Sequence, residues 1–159
     1  MPVAYISIGS NIEPAFNVKS SLQALIREFG DLKISKTYQT EAMGFEGDDF
    51  YNLVVSFPSK LDIKVIAKTL RDIEVEHGRT RSCQKFSSRT LDLDLILYGN
   101  LIIDDGYLQI PRDEIMKYAF VLEPLAEISP NLIHPINHKN YAELWQNFDK
   151  SQLKCHIVE

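Results

Sequence analysis

The stretch Arg89-Thr90-Leu91-Asp92-Leu93-Asp94-Leu95-Ile96-Leu97 decides the fold that the sequence predicts. Successive side chains of a β-strand point to opposite faces, so the four leucines are expected on one face and Asp92 and Asp94 on the other. The leucine face can pack on a core, whereas the other face presents two carboxylates about 6.5 Å apart along the strand. Aspartate is a poor strand former, so two aspartates in an apolar strand indicate a specific role.

Three roles are open for this acid pair on the pattern alone. The carboxylates could be solvated or paired with a nearby arginine, they could bind a hard cation through oxygen, or they could form an acid–base dyad. The second role is favoured by a basic segment just upstream, which contains Arg79, Arg81, Lys85 and Arg89. Carboxylates that hold Mg²⁺, together with arginines that contact the remaining oxygens, are typical of a polyphosphate site.

The bulk composition indicates one globular domain over residues 1–159. The chain has 159 residues, of which 45% are hydrophobic and 25% charged, and its formal net charge is −5. This acidic balance argues against a nucleic-acid-binding protein, which usually has a basic surface. No apolar run reaches the ~20 residues of a membrane-spanning helix, and we see no signal peptide. Cys83 and Cys155 form no zinc-site motif, so we expect a reduced, cytoplasmic setting.

Hydrophobic periodicity and turn residues predict the core order β-α-β-β-α-β. The strands are expected at Val3–Ile8, Leu32–Tyr38, Phe50–Phe57 and the acid stretch. One helix is expected after Pro14 and ends at Gly30, and the second is capped by Asp62 and ends at Gly78. A hairpin around Asp104-Asp105-Gly106 and helical segments at 111–117, 119–128 and 141–148 are expected to follow.

This order is that of the ferredoxin-like α+β fold, in which two helices cover one face of an antiparallel sheet. The C-terminal hairpin and helices are additions to that core. The other face of the sheet is then expected to be free to carry a site. Four side chains lie opposite the main apolar face of their strands and are expected to share this free face: Asp92, Asp94, Phe50 and Asn52.

Four segments also occur in the order and at the spacing of a known family. They are Ile8-Gly9-Ser10-Asn11, Gly78-Arg79-Thr80-Arg81, Arg89-Thr90-Leu91-Asp92-Leu93-Asp94 and the segment from Ala119 to Pro130. Together they resemble the 6-hydroxymethyl-7,8-dihydropterin pyrophosphokinases over nearly the whole chain. The motif Arg-Thr-Leu-Asp-Leu-Asp is the specific part of this resemblance.

The resemblance implies an enzyme of folate biosynthesis that moves the β,γ-pyrophosphoryl group of ATP to the hydroxymethyl oxygen of a reduced pterin and releases AMP. It implies that Asp92 and Asp94 hold two Mg²⁺ ions, and that they act in catalysis together with Arg79 and Arg89. The positions implied to bind ATP are Glu74, Arg79, Arg81, Arg89 and Arg112. Those implied to bind the pterin are Thr40, Met43, Phe50, Asn52, Phe86 and Phe120. A monomer with these two small-molecule partners is expected, without nucleic acid or membrane.

The chain departs from the resembled family in its loop and near its C-terminal signature. Phe86-Ser87-Ser88 stands where the family usually has Trp-Gly-Pro, Arg112 where it has His, and Tyr118 where it has Arg. Arg112 can still contact phosphate, whereas the cation at position 118 is lost. Phe50 keeps the ring of a position that is often Tyr and lacks the hydroxyl.

Two other functions are compatible with this topology. A non-catalytic nucleotide-binding regulatory domain of ferredoxin-like fold would bind ATP without forming AMP. An RNA-binding module would need aromatic side chains with basic neighbours on its central strands, whereas here acids occupy the key strand. An Asp-x-Asp strand beside an arginine-rich segment is unusual for a regulatory domain, so the sequence favours the pyrophosphokinase.

Overall fold

The computed structural model describes residues 1–40, 49–78, 91–151 and 155–158. The strands in these ranges are β1 (Val3–Ser10), β2 (Lys33–Ile34), β3 (Thr37–Thr40), β4 (Phe50–Pro58), β5 (Asp92–Tyr98), β6 (Ile103–Asp104), β7 (Gln109–Ile110) and β8 (Cys155–Val158). The helices there are α1 (Pro14–Phe29), α2 (Ile63–Glu76), α3 (Glu114–Lys117), α4 (Ala119–Ile128) and α5 (Tyr141–Gln146). None of these described helices combines the length and the hydropathy needed to cross a membrane.

The larger sheet is antiparallel and has the strand order β5-β1-β4-β3-β8, with β2 also paired to β4. The first strand of the chain, β1, lies between β4 and the acid strand β5. The strands β6 and β7 form a separate hairpin, as predicted around Asp104. The chain therefore has a mixed α/β architecture in which an antiparallel sheet brings distant segments side by side.

Helices α1 and α2 bury their apolar sides in one core cluster with alternate residues of the sheet. Leu25 of α1 and Ile66 of α2 are fully buried in this cluster. The start of α2 is fixed as the sequence predicts, because the carboxylate of Asp62 accepts a hydrogen bond of 2.8 Å from the Lys64 backbone N–H. The two predicted helices are therefore confirmed, and they pack together with the leucine side of the acid strand.

The opposite face of the sheet is not free along its whole length, which corrects the expectation drawn from the strand order. Helix α4 packs on part of this face, and its apolar side chains form a second core cluster with Tyr5 and Val54 of the sheet. The helical members of the cluster include Ile115, Val121, Leu122, Leu125, Tyr141 and Leu144. The end of the sheet that carries Gly9 and Asp92 lies outside this cluster, so it is where a site can form.

A β-bulge in β5 changes the predicted alternation at its end. Along β1, Ile6 pairs with Leu95 but Tyr5 pairs with Leu97, so Ile96 is an extra residue in β5. As a result, both Ile96 and Leu97 pack in the second cluster, and the prediction that Leu97 shares a face with the earlier leucines is wrong. The two aspartates precede the bulge and keep the face that the alternation predicts.

The strand predicted at Leu32–Tyr38 is interrupted at Ser35. The Ser35 backbone N–H donates to the Val54 carbonyl at 3.0 Å, and the Val54 N–H donates to the Ser35 hydroxyl at 3.0 Å. The hydroxyl takes the place of a backbone acceptor, which separates β2 from β3. Strand β8 pairs with β3 and was not predicted, because its four residues are too few for a clear hydrophobic period.

Candidate active site

Asp92 lies in a row of paired residues that runs across neighbouring strands. Gly9 in β1 pairs with Asp92 of β5 on one side and with Asn52 of β4 on the other. In the next row, Asp94 pairs with Ser7. Residues directly opposite each other in paired strands project to the same face, so the acid pair and Asn52 share one face, in agreement with the sequence analysis.

Gly9 provides the space that this row needs. A Cβ atom at Gly9 would lie 3.1 Å from Asn52 Oδ1 and 3.9 Å from Phe50 Cδ1. The amide of Asn52 therefore leans over β1, and the ring of Phe50 lies beside it. The sequence analysis identified Gly9 only as part of a motif after the first strand. Its structural role, space for two side chains, depends on strand pairing and has no signal in the local sequence.

Three of the predicted pterin-binding residues are brought together at this end of β4. Asn52 Nδ2 donates a hydrogen bond of 2.8 Å to Thr40 Oγ1, and Thr40 pairs with Phe50 across β3 and β4. The side chain of Asn52 is buried, with 5% of the residue exposed. A fixed amide, a hydroxyl and an aromatic ring form a surface that suits a flat heterocycle with donors and acceptors along its edge.

We expect Gly9→Ala to weaken binding of the pterin that the family resemblance implies, because the change displaces the Asn52 amide, whose oxygen would lie 3.1 Å from the new methyl group. The loss should correspond to about one hydrogen bond, ~0.5–1.5 kcal/mol, which is roughly a 2- to 12-fold rise in Kd. Calorimetric titration with the pterin measures this change. In an Asn52→Ala background the same substitution should have no further effect, and an unchanged Kd for Gly9→Ala alone would contradict the prediction.

Asp94 lies in a strongly negative part of the site. The pKa of Asp94 is raised from 3.8 to about 7, first by burial and next by the negative charge of Asp92. The guanidinium of Arg112 opposes this rise, whereas the carboxylates of Glu114 and Glu74 add to it. Paired carboxyl groups that are short of positive charge are the environment in which a divalent cation binds.

The number of carboxylates indicates the kind of cation site. Within the described ranges, no group of three or more His, Cys, Asp or Glu side chains is arranged to hold a metal ion. Two carboxylates are enough for a cation that takes its remaining ligands from water or from a bound substrate. Mg²⁺ usually binds in this way, through one or two carboxylates together with water and substrate phosphates. The donor set thus fits Mg²⁺ bound together with a polyphosphate.

Glu74 supports the acid strand from the side of α2. It is buried, with 1% of the residue exposed, and its Oε2 accepts a hydrogen bond of 2.8 Å from the Leu93 backbone N–H. This peptide lies between Asp92 and Asp94, on the strand that ends the sheet order. The sequence analysis placed Glu74 near the nucleotide, and the structure adds a direct bond to the backbone that carries both aspartates.

Glu74→Ala should destabilise the protein, because the buried N–H of Leu93 loses its carboxylate acceptor. An unpaired buried donor costs about 1–3 kcal/mol in the free energy of unfolding, measured by urea titration. Glu76 on the same helix is the matched control, since among the described residues its exposed carboxylate forms only a 3.5 Å ion pair with the exposed Arg27. Glu76→Ala should cost less than about 0.5 kcal/mol, and equal losses for both variants would contradict the prediction.

Arg112 follows β7 and lies beside the acid pair. Its Nε donates to Glu114 Oε2 at 2.8 Å and its Nη2 donates to Glu114 Oε1 at 2.6 Å. This hydrogen-bonded pair raises the pKa of Arg112, and the charges of Asp94 and Asp92 raise it further. The sequence analysis identified Arg112 and missed Glu114. A carboxylate two residues after an arginine was the available signal.

Phe120 lies in the first turn of α4, and Tyr118 stacks on it. Their ring centroids are 5.0 Å apart and their planes differ by 13°. Tyr118 covers one face of the Phe120 ring, so a flat ligand can stack only on the opposite face. The other end of α4 is fixed at Tyr5, whose hydroxyl is 2.7 Å from Ser129 Oγ. Phe120 lies about 13 Å from that end of the helix, at 1.5 Å per residue.

The remaining predicted site residues lie outside the described ranges, and their roles stay predictions. They are Met43, which was expected to contact the pterin, and the upstream set Arg79, Arg81, Phe86 and Arg89. The described ranges therefore include the acid pair, Glu74, Arg112 and four of the predicted pterin-binding residues, which are Thr40, Phe50, Asn52 and Phe120.

Comparison with known proteins identifies relatives of similar length. The sequence model of the family described as 7,8-dihydro-6-hydroxymethylpterin-pyrophosphokinase (HPPK) matches residues 5–130. Two bacterial proteins named 2-amino-4-hydroxy-6-hydroxymethyldihydropteridine pyrophosphokinase are each 34% identical over 152 residues. The match to the Synechocystis sp. protein covers 92% of this chain and 76% of that protein, and the match to the Haemophilus influenzae protein covers 93% and 94%.

Other similar proteins are much longer than this chain. The folic acid synthesis protein fol1 of Pneumocystis carinii is 33% identical over 155 residues, and the chain spans 20% of its length. The crystal structure of wild-type Plasmodium falciparum HPPK-DHPS with SDX-DHP has a TM-score of 0.70 at 12% identity, with 92% of this chain and 43% of that chain covered. This likeness shows the shared fold alone.

The comparisons and the geometry agree on one family. The matched region contains the acid strand, the Gly9 row and Phe120, and it extends over most of the described chain. The relatives of similar length carry the name of an enzyme, which does not favour a non-catalytic regulatory domain. This chain belongs to the 7,8-dihydro-6-hydroxymethylpterin-pyrophosphokinase family.

Proposed function

We propose that this chain transfers the pyrophosphoryl group of ATP to 6-hydroxymethyl-7,8-dihydropterin, giving the pterin diphosphate and AMP, in tetrahydrofolate biosynthesis. The observation that carries this proposal is the row in which Gly9 pairs with both Asp92 and Asn52. It brings a carboxylate pair suited to a cation next to an amide suited to a heterocycle. Pyrophosphoryl transfer depends mainly on positioning the two reactants and stabilising charge. The amide in this row can position the pterin, and the carboxylates can hold the cation that stabilises charge.

Asp92 and Asp94 hold Mg²⁺ in this proposal, and the resemblance puts the number of ions at two. The raised pKa of Asp94 and the sharing of one face by both carboxylates support this role. When bound, two ions neutralise the polyphosphate and stabilise both the attacking and the leaving oxygens of an in-line displacement. The chain itself supplies the two carboxylates and the strand that fixes their spacing.

The residues proposed to bind ATP surround the acid strand. Arg112 is supported by its electrostatic interaction with both aspartates, because a guanidinium near the proposed cation ligands can also bind phosphate oxygens. Glu74 is supported as a member of this region by its bond to Leu93. The other proposed contacts are Arg79, Arg81 and Arg89, of which Arg79 and Arg89 act in catalysis with the acid pair.

The pterin is proposed to lie between the rings of Phe50 and Phe120, with its polar edge at Asn52 and Thr40. An asparagine amide offers both donors and an acceptor, which suits the alternating groups of a pterin edge. The hydrogen bond from Asn52 to Thr40 supports this role, because it fixes which way the amide points. Met43 and Phe86 complete the proposed pterin contacts.

We further propose that the core is ferredoxin-like. The order β5-β1-β4-β3, with α1 and α2 packed in one core cluster, supports this assignment. Strand β8 and the C-terminal helices are then additions to the core. The enzyme is proposed to act as a monomer with a single domain over residues 1–159, in the cytoplasm.

The experiment that tests this function is product analysis after the protein is mixed with MgATP and 6-hydroxymethyl-7,8-dihydropterin. Phosphorus NMR should show AMP and a pterin diphosphate in equal amounts. ADP together with a pterin monophosphate would show γ-phosphoryl transfer and overturn the proposed reaction. Binding of ATP without any product would favour a non-catalytic nucleotide-binding domain.

A further inference from the structure

Arg112 is anchored to the acid strand through its backbone. Its N–H donates a hydrogen bond of 3.0 Å to the carbonyl of Ile96, two residues after Asp94. This bond fixes the Cα of Arg112 next to β5, so the guanidinium can reach the site from a defined starting point. The backbone leaves the direction of the side chain open, because an arginine has several rotatable bonds.

Glu114 fixes that direction by holding one edge of the guanidinium. The Nε and Nη2 atoms of Arg112 donate to the two carboxylate oxygens of Glu114, at 2.8 Å and 2.6 Å. The pair is partly enclosed, with 31% of the arginine side chain and 23% of the glutamate side chain exposed. A guanidinium has five N–H groups in a planar fork, so the Nη1 group and one Nη2 proton remain for another acceptor.

The charges around Arg112 indicate where this remaining edge acts. The positive charge of Arg112 acts on the carboxyl group of Asp94, and the charges of Asp94 and Asp92 act on the guanidinium in return. The guanidinium therefore lies near the acid pair, and Glu114 holds the edge that Nε and Nη2 form. A bidentate arginine edge matches the geometry of phosphate oxygens.

We propose that Glu114 is a positioning residue that holds the Arg112 guanidinium so that its remaining edge faces the polyphosphate of ATP beside the acid pair. This inference rests on the proposed function, in which ATP binds next to Asp92 and Asp94. A guanidinium that is already oriented loses less rotamer freedom when the nucleotide binds. Glu114 thus increases the affinity for MgATP although its own charge repels phosphate.

Positioning of Arg112 by Glu114 should raise the affinity for MgATP, whereas the negative charge of Glu114 should lower it. A single substitution can therefore show which effect is larger. If Glu114 acted only through its charge, Glu114→Gln would strengthen MgATP binding. If it positions Arg112, the same change replaces one of the two acceptor oxygens by a donor NH₂, so at most one of the two hydrogen bonds remains and the guanidinium is held less firmly. We expect the Kd of a non-hydrolysable MgATP analogue, measured by calorimetry, to rise about 2- to 12-fold. This range corresponds to the free-energy cost of ordering one long side chain when a ligand binds. The Kd of the pterin should stay unchanged.

Variants of Arg112 test whether Glu114 acts through it. In an Arg112→Ala background, Glu114→Gln should no longer weaken nucleotide binding. Arg112→Lys keeps the charge but cannot form the fork, so it should also raise the Kd of the MgATP analogue. Lys117→Gln is the matched control, because it removes an exposed 2.8 Å pair with Asp113 and keeps both hydrogen bonds between Arg112 and Glu114, and it should leave both Kd values unchanged.

The outcomes distinguish a failure of the positioning role from a failure of the proposed function. Wild-type protein that forms no AMP and pterin diphosphate overturns the proposed function. Wild-type protein that forms these products, with equal or tighter MgATP binding by Glu114→Gln, overturns the positioning role alone. The same conclusion follows if Glu114→Gln weakens nucleotide binding equally with and without Arg112, or if Arg112→Lys binds as tightly as the wild type.

Discussion

Replacing Asp94 by asparagine should abolish turnover and at the same time make the metal-free protein more stable. The carboxylate is a proposed Mg²⁺ ligand, and even residues that only support metal ligands cost about 10- to 100-fold in affinity or activity when they are changed. We therefore expect a loss of kcat of at least about 100-fold. Stability should increase because burial and the charge of Asp92 disfavour the ionised form of Asp94.

The stability gain can be measured as the midpoint of thermal unfolding at pH 8 in the presence of a chelator. A gain of 1 kcal/mol raises the Tm of a domain of this size by about 2–4 °C. Asp72→Asn is the matched control, because Asp72 is exposed and, within the described part of the chain, forms only a surface pair with Lys68. Its turnover and Tm should match the wild type. Near wild-type turnover of Asp94→Asn would contradict the metal assignment.

The pH dependence of this gain has a defined sign. The pKa of Asp94 is higher in the folded protein, about 7, than its ordinary value of 3.8. The folded state therefore holds a proton that the unfolded state releases between these values, so Asp94 lowers stability progressively as the pH rises from about 4 to 7. The difference in Tm between Asp94→Asn and wild type should be full above pH 7 and should shrink as the pH falls toward 4. A difference that grows on acidification would contradict this account.

Phe120→Ala should weaken pterin binding strongly and leave MgATP binding almost unchanged. Stacking of a base on an aromatic ring contributes about 1–3 kcal/mol, which corresponds to roughly a 5- to 150-fold rise in Kd. The Phe120 ring has one face against Tyr118, so its other face is the surface that the pterin would lose. Calorimetric titrations with the pterin and with a non-hydrolysable MgATP analogue measure the two effects separately.

A second aromatic residue of the same core cluster serves as the control for Phe120. Phe148 is partly buried against that cluster and stacks on Trp145 with ring centroids 5.7 Å apart. Phe148→Ala should reduce stability without a selective effect on the pterin. If Phe120→Ala instead weakened both ligands equally, the ring would have a structural role and the stacking assignment would fail.

The acid strand shows how far local sequence predicts this molecule. The alternation placed Asp92 and Asp94 on the correct face, because successive side chains of a regular strand must point to opposite faces. The same alternation failed at Leu97, since the bulge at Ile96 arises from pairing with β1. The strand order predicted an uncovered face, and it could not predict that α4 packs there.

Three residues have structural roles that the sequence analysis did not predict. Gly9 matters because Asn52 and Phe50 approach it from β4. Glu114 holds the guanidinium of Arg112 through two hydrogen bonds. Tyr118 was expected to mark only the loss of a cation, and the stacked ring of Phe120 gives it a packing role. The role of Gly9 thus depends on long-range strand pairing, whereas the roles of Glu114 and Tyr118 depend on side-chain orientations that a hydrophobic pattern does not encode.

The position of the acid strand at the end of the sheet also has a consequence for how the chain folds. Strand β1 is made first and β5 follows only after both α1 and α2, so one side of β1 has no partner until Asp92–Tyr98 docks. An unpaired strand edge is a template for association with other chains. A chain stalled before β5 would expose this edge of an apolar strand, and we expect aggregation to compete with folding at that stage. The segment that carries the proposed Mg²⁺ ligands is thus also the segment that covers the open edge of β1.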